Sequence, residues 1–404
     1  MIMKTKLEQY HRNEHGIYKQ DIDSNVIHIS DKLISNGYQA FLVGGCIRDI
    51  LLEKKPKDYD IVTDASPDEI CNLFKNARII GKRFKIVHVY FSDKKYIEVT
   101  TFRSDVKKKN NKKNFIKYNG TIKRDNVYGT ISQDAFRRDF TINSLFLDLD
   151  TEIIHDYVDG IKDIKNKILR LIKKPSISYQ EDPVRMLRAI RFKSKLNLKL
   201  SDECEASIKK MAHMINNVSP FRLFDEVIKI MHSGYGFICY KKLRELNLFE
   251  YLFPFTNNIL QKEIIYDDFF SLALKNTDHR IKEGSHVNPS FIYAVFLWPY
   301  FQELEKKYSN KKAISFDKIF RITIESQAKY IAIPEFFQSV IHTIWSLQGS
   351  FLNLNNQNVE RLLKLEKFRV AYDFLYIRSL LNQDLKYYFN KWCVIQKSKS
   401  DNNR

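Results

Sequence analysis

The chain is poor in cysteine, in long apolar runs and in acid. Its five cysteines, Cys46, Cys71, Cys204, Cys239 and Cys393, are scattered, and no two form a C-x-x-C pair. That spacing argues against a zinc site and against a disulfide framework, and it fits a reducing, cytoplasmic setting. The longest apolar stretch, SFIYAVFLWPYF from Ser290 to Phe301, is shorter than the roughly 18 residues a membrane span needs. It carries Pro299 and reads as a buried helix. The N-terminal MIMKTKLEQYHRNEHG has no apolar core of a secretory signal, and no amphipathic anchor for a membrane surface is identified. Forty-eight acidic residues face 67 Lys and Arg, leaving a formal charge of +19. An excess of that size implies a polyanionic partner, and nucleic acid is the commonest for a soluble protein.

What is present describes a folded chain. The 404 residues, 44% hydrophobic and 13% aromatic, suffice for two or three domains with a sizeable core. Residues 1–20 read as a polar arm. Ile22, Val26, Ile29 and Leu33 then recur at helical spacing, with Gly37 as the stop. AFLVGG reads as a buried strand, IRDILLEKKP as a helix ended by Pro56, and DYDIVT as a second strand. SPDEICNLF reads as a helix capped by Ser66 with Pro67 in its first turn. FKIVHVYF and KYIEVTTFR form a hairpin, as do INSLFLDL and IIHDYV. Between the hairpins, KKKNNKKNFIK (Lys107 to Lys117) is a charged run, either a solvated loop or an RNA-touching one. From about residue 150 the periodicity is helical. The expectation is an α+β chain: a mixed-sheet head over 21–160, a helical neck over 161–255, an all-α body over 256–390 and a basic tail over 391–404.

Four short stretches carry the chemistry. In PKDYDIVT, Asp58 and Asp60 stand at i and i+2, the same face of a strand. Two carboxylates so placed repel unless a divalent cation joins them, and Mg²⁺ takes one or two carboxylates plus water and substrate phosphates. Alone, the pair reads as a polar strand start; its neighbours in the sequence reverse that reading. In LVGGCIRD, Gly44 and Gly45 lie between a strand and a helix. There, backbone N–H groups and the helix N-terminus favour a phosphate, and Arg48 adds a bidentate donor. Alone, it is a tight turn. RRDFTIN sets Arg137 and Arg138 beside Asp139, in isolation a surface ion pair. In EDPVRMLRAIRF, Asp182 caps a helix begun by Pro183, and Arg185, Arg188 and Arg191 recur every three residues. Such a stripe is either a solvated basic face or one that receives a nucleotide, with Asp182 accepting from an exocyclic amine and a guanidinium donating to a ring acceptor.

Taken in this order, LVGGCIRDILL, KDYDIVT, RRDFTINSL and EDPVRMLRAIRF resemble the class II template-independent nucleotidyltransferases, the family of CCA-adding enzymes and bacterial poly(A) polymerases. The resemblance implies a head like that of DNA polymerase β ahead of the all-α body. It implies that Asp58 and Asp60 bind Mg²⁺ or Mn²⁺, and that Asp139 is a further acidic residue of the site. Gly44, Gly45, Arg48 and Arg138 match the positions that hold the triphosphate and ribose of ATP. Asp182 and Arg185 match the pair that reads the base, with Arg188 and Arg191 in support. The implied reaction is attack of an RNA 3′-hydroxyl on the α-phosphate of ATP, releasing pyrophosphate by a two-metal mechanism.

Flanking segments resemble the poly(A) polymerase branch. They are IIGKRFKIVHV, in which Lys82 and Arg83 form either an RNA contact or a solvated turn, IEVTTFR, NVYGTISQDAFRRDF, Arg222 to Pro254, and Val359 to Arg378. The only His-Asp dipeptide is His155–Asp156, which does not match the phosphohydrolase set that many CCA-adding enzymes carry. One departure is the short tail, QKSKSDNNR, where the branch often has a longer basic extension. The expected function is polyadenylation of RNA 3′ ends (mRNA, small RNA, tRNA), promoting RNA turnover, by a monomer that meets RNA-decay machinery and no membrane. The alternatives are CCA addition to tRNA and an RNA-binding module without catalysis.

Overall fold

The computed structural model describes residues 7–81, 85–91, 95–104, 115–118, 121–125, 127–308 and 314–401. Lys82 and Arg83 lie outside the described residues, as do Lys107 to Asn114 of the charged run. The chain divides into two compact units, one of residues 1–185 with 197–207 and one of 186–196 with 208–404.

The first unit holds an eight-stranded mixed sheet. Its strands are β1 (Glu8–Tyr10), β2 (Ala40–Val43), β3 (Asp60–Thr63), β4 (Ala77–Ile80), β5 (Ile86–Tyr90) and β6 (Tyr96–Thr101), with β9 (Leu145–Asp148) and β10 (Ile153–Asp156) after a separate hairpin of β7 (Phe115–Tyr118) and β8 (Thr121–Asp125). The order is β1-β10-β9-β2-β3-β6-β5-β4. Only β3 and β6 run parallel; every other neighbouring pair in this sheet is antiparallel. A further parallel pair, β11 (Ile168–Leu169) and β12 (Lys199–Leu200), follows.

Local sequence explains the helices between these strands. After α1 (Arg12–His15) comes α2 (Ser24–Ser35), whose N-cap Asp23 accepts from Asn25 N. It buries Val26, Ile29 and Leu33, the residues read from the spacing. Helix α3 (Gly45–Leu51) starts directly at the glycine turn. Helix α4 (Pro67–Leu73) opens on a reciprocal capping box between Ser66 and Glu69, and α5 (Ile131–Arg137) on one between Thr130 and Gln133. Phe41, Val43, Val62, Phe102, Ala135 and Phe146 form a core cluster of the sheet. Helices α6 (Gly160–Lys165) and α7 (Pro175–Glu181) complete the unit, and α8 (Val184–Leu196) follows.

The second unit is helical. The apolar stretch from Ser290 forms the helix Ser290–Tyr308, buried along most of its length with Pro299 inside it. Tyr293 donates from its hydroxyl to Phe224 O at 3.2 Å, and Trp345 Nε1 donates to Ala294 O at 3.2 Å. A separate cluster gathers Phe351, Phe368, Tyr372 and Trp392.

Several expectations are corrected. Residues 8–10 of the polar arm are an edge strand, with Glu8 opposite Asp156. Asp58 precedes β3 rather than lying in it. Pro183 is not the first residue of α8, which starts at Val184; Asp182 ends α7 and still accepts from Val184 N at 3.3 Å. Residues 391–401 of the basic tail belong to the helix Gln383–Asp401, anchored by fully buried Trp392, whose Nε1 donates to Phe351 O at 2.9 Å. The division between the two compact units falls at residue 185, with β11 and β12, residues 168–169 and 199–200, both in the first.

Candidate active site

The site grows from the glycine turn. Gly44 has φ 81° and ψ −126°, a conformation that a side chain at this position would strain. The turn lets β2 pass directly into α3. Behind it Arg48 is buried, 5% exposed. Its Nε and Nη2 donate to Asp49 Oδ1 at 2.8 and 2.6 Å, and its Nη1 donates to Asn143 Oδ1 at 2.5 Å. Arg48 therefore braces the turn from inside. Cys46, beside it, is no nucleophile: burial pushes its thiol up to about 12.

Asn143 is the hub that sequence reasoning missed. Its Nδ2 donates to Asp139 Oδ1 at 3.2 Å, and its backbone O accepts from Arg138 Nη1 at 3.5 Å. Asp139 Oδ1 also accepts from Phe140 N at 2.8 Å. Arg138 is held by Asp134, Nε at 2.9 Å and Nη2 at 2.8 Å, and lies 5.2 Å from the Phe146 ring centroid. The RRDFTIN segment thus folds back so that Arg138, Asp139 and Asn143 meet Arg48 of the glycine turn. The signal in the sequence was the Asn at the end of that motif, three residues beyond a Phe buried at 0%.

The acidic side is made by neighbouring strands. Asp60 opens β3, and its parallel partner on β6 is Glu98. Asp60 is pushed up to about 6, first by burial and then by Glu98, with Asp58 adding to the effect and the Arg138 guanidinium opposing it. Glu98 is raised by burial and by Asp58. Asp58, Asp60 and Glu98 are therefore an electrostatically coupled set, and Glu98 is the member that the sequence reading missed. Its signal was the Glu in IEVTTFR, in a strand alternating apolar and polar. Mutual repulsion of oxygen ligands is what a divalent cation relieves, so the donor chemistry fits one. Among the described residues no group of three His, Cys, Asp or Glu is placed so that it could hold a metal ion by itself. Mg²⁺ takes one or two carboxylates and keeps waters and substrate phosphates as its other ligands, so a carboxylate pair suffices for it.

Asp182 and Arg185 belong to the same unit. Arg185 Nη1 donates to Ser178 Oγ at 2.8 Å, to Ser178 O at 3.3 Å and to Glu181 Oε2 at 3.3 Å, and Nη2 donates to Arg137 O at 3.5 Å. The guanidinium is thus fixed against α7 and the RRDF segment. Arg188 and Arg191 fall in the second unit, 5.2 and 4.9 Å from the Phe192 ring centroid. The three arginines are not one uniform stripe, because i, i+3, i+6 spacing drifts around a helix.

An acidic set beside a strand–glycine–helix turn suits transfer of a nucleotide from a triphosphate, and comparison with known proteins narrows this. Residues 40–170 match the model of the poly A polymerase head domain. Residues 197–260 match the probable RNA and SrmB-binding site of polymerase A, and 310–404 its arginine-rich C-terminus. The chain is 37% identical over 400 residues to Poly(A) polymerase I of Salmonella typhi, covering 96% of this chain and 85% of that protein. A CCA-adding enzyme of Bacillus pumilus is 35% identical over 246 residues, covering 61% of this chain and 58% of that protein. A solved tRNA-processing enzyme in its apo form I shares the fold, with TM-score 0.59 and 20% identity over 92% of this chain and 91% of that one. The chain belongs to the bacterial poly(A) polymerase family. It is a nucleotidyltransferase, and no helix among its described residues is long and apolar enough to cross a membrane.

Proposed function

We propose that this protein adds AMP from ATP to RNA 3′ ends without a template, releasing pyrophosphate. One observation carries the reading: 37% identity to a poly(A) polymerase runs over 96% of the chain, whereas the match to the CCA-adding enzyme covers 61%. The family description of residues 197–260 as a probable RNA and SrmB-binding site supports RNA as substrate and a protein partner from RNA metabolism.

In the reaction the RNA 3′-oxygen attacks the α-phosphorus of ATP, the bond from that phosphorus to the β-bridging oxygen breaks, and pyrophosphate departs. Asp58 and Asp60 are the residues that would hold a divalent cation, Mg²⁺ or Mn²⁺, with Glu98 adding negative charge beside them; such an ion, when bound, would neutralise phosphate charge and lower the pKa of the attacking hydroxyl. The backbone N–H groups following Gly44 meet the triphosphate at the start of α3. Arg138, the opposing positive charge at Asp60, balances the negative charge that the triphosphate brings. Arg48 and Asp139, tied through Asn143, keep the turn and the RRDF segment in register. Asp182 and Arg185 read the adenine edge, with Arg188 and Arg191 as supporting residues of the same motif. Positioning and charge stabilisation do the catalytic work.

The deciding experiment gives the protein two acceptors, an unstructured RNA and a tRNA lacking its last three nucleotides, with ATP, CTP or both. Long ladders from ATP alone on both acceptors are expected. A product of three added nucleotides, made only on tRNA and only with CTP present, would show a CCA-adding enzyme instead.

A further inference from the structure

The register of the sheet places the catalytic carboxylates in a continuous row. Asp60 on β3 is opposite Glu98 on β6, Glu98 is opposite His88 on β5, and His88 is opposite Arg78 on β4. Paired residues of neighbouring strands share a face, so these four side chains lie on one side of the sheet. With strands about 4.8 Å apart, His88 stands roughly 10 Å from Asp60 along the row. One step along the strands, Tyr90 is opposite Tyr96, on the same face again because side chains two residues apart are.

This part of the face is aromatic. The His88 and Tyr96 rings are stacked, with centroids 3.9 Å apart and planes at 8°. Tyr90 lies 5.7 Å from Tyr96 and 6.1 Å from His88. The Arg78 guanidinium is 5.6 Å from the Tyr90 ring centroid, and His88 Nε2 is 3.5 Å from Glu98 Oε1. Val87, Val89, Ile97 and Val99 point the other way and are buried. The core thus takes one side of these strands; on the aromatic side Tyr96 is 47% exposed and Tyr90 half-buried, while the His88 side chain, 12% exposed, packs against the Tyr96 ring.

An open aromatic surface bordered by a guanidinium and joined to a metal-suited carboxylate fits a single-stranded nucleic acid: bases stack on the rings and phosphate meets the cation. We propose that Tyr96 and Tyr90, backed by His88 and with Arg78 at their edge, form the acceptor platform on which the terminal bases of the RNA 3′ end stack. This orients the 3′-hydroxyl toward Asp60 and Glu98. The proposal rests on the polyadenylation reading for the identity of its ligand. Tyr96 and His88 act on the acceptor by position and take no part in bond making. Glu98 has a double place, in the acidic set and at the start of the platform, so the acceptor approaches the cation site along the sheet rather than across the glycine turn.

The test uses the full chain with a short oligoadenylate acceptor, measuring KM for the acceptor and for ATP separately. Tyr96→Ala is expected to raise the acceptor KM about tenfold and to leave the ATP KM in place, since one base–aromatic stack is removed. Tyr96→Phe keeps the ring and is expected to restore the acceptor KM to within about twofold of wild type. An unchanged acceptor KM in Tyr96→Ala overturns the platform. An equal rise in the ATP KM does so as well, because the surface would then belong to the nucleotide. The second arm carries 5-iodouridine at the penultimate RNA position and locates the photo-crosslink by mass spectrometry. A crosslink to Tyr90 or Tyr96 supports the platform, and one confined to other segments refutes it. A wild-type protein that incorporates no AMP defeats the polyadenylation reading, while the crosslink still decides whether RNA lies on this face.

Discussion

Arg48 and Asn143 lie 95 positions apart in the chain, and a 2.5 Å hydrogen bond joins the guanidinium of one to the carboxamide of the other. The same carboxamide donates to Asp139, so one neutral side chain ties the glycine turn to the RRDF segment. Asn→Ala at position 143 removes both bonds and leaves a buried guanidinium short of an acceptor. The expected result is a fall of about 10- to 100-fold in kcat/KM for ATP, the range for residues that orient a site from behind, with the circular dichroism spectrum preserved. Wild-type kinetics in this variant would remove Asn143 from the positioning scheme.

Glu98 makes a second prediction. Glu98→Gln keeps shape and hydrogen bonding but removes a negative charge beside Asp60. The variant is expected to need a higher Mg²⁺ concentration for half-maximal activity and to lose about 100-fold in kcat. A Mg²⁺ titration identical to wild type would mean that Asp58 and Asp60 hold the cation without it. Asp60→Ala is expected to lose incorporation altogether and to unfold at the wild-type urea concentration or above, because a buried, repelled carboxylate is removed.

The helical unit supplies a pH test. His232 caps the helix Pro220–Met231. Its Nδ1 lies 3.3 Å from Ile228 O, and its Nε2 is buried without a partner among the described residues. Burial lowers its pKa below the ordinary 6.5, the Ile228 carbonyl opposing in part. The unfolded chain therefore binds a proton that the folded chain refuses. Stability from this group is intact above about 6.5 and is lost as pH falls from there toward the folded pKa. Asn in place of His232 keeps a donor for Ile228 O and cannot titrate. Urea midpoints at pH 7.5 and 5.5 are expected to differ less in His232→Asn than in wild type. An equal difference would place the acid sensitivity elsewhere, with His15, His88 and His155, which burial also lowers.

Much of the head could be read in the sequence because its signals are local. Ser66 and Glu69 cap α4 across three residues, Val26, Ile29 and Leu33 mark one face of α2, and Gly44 is a glycine because its backbone angles disfavour other residues. The apolar run from Ser290 was legible as a buried helix for the same reason: composition over a single stretch decides burial. Asp58 and Asp60, two residues apart, pointed to a shared site only together with the glycine turn and the motifs that follow them.

The remainder depended on pairings between distant segments. No local signal says that β6 will lie parallel to β3, and only that register sets Glu98 against Asp60 and His88 against Glu98. The Asn143 hub needs the RRDF segment folded back on the glycine turn. The same limit applies to the C-terminal residues, read only as a basic tail, which burial of Trp392 against Phe351 anchors as a helix. Sequence determined which residues carry charge, which turns need glycine and where helices start, because those depend on chemistry within a few positions. Tertiary structure decided which carboxylates share a field and which rings stack, because strand register is set by the burial of whole faces at once.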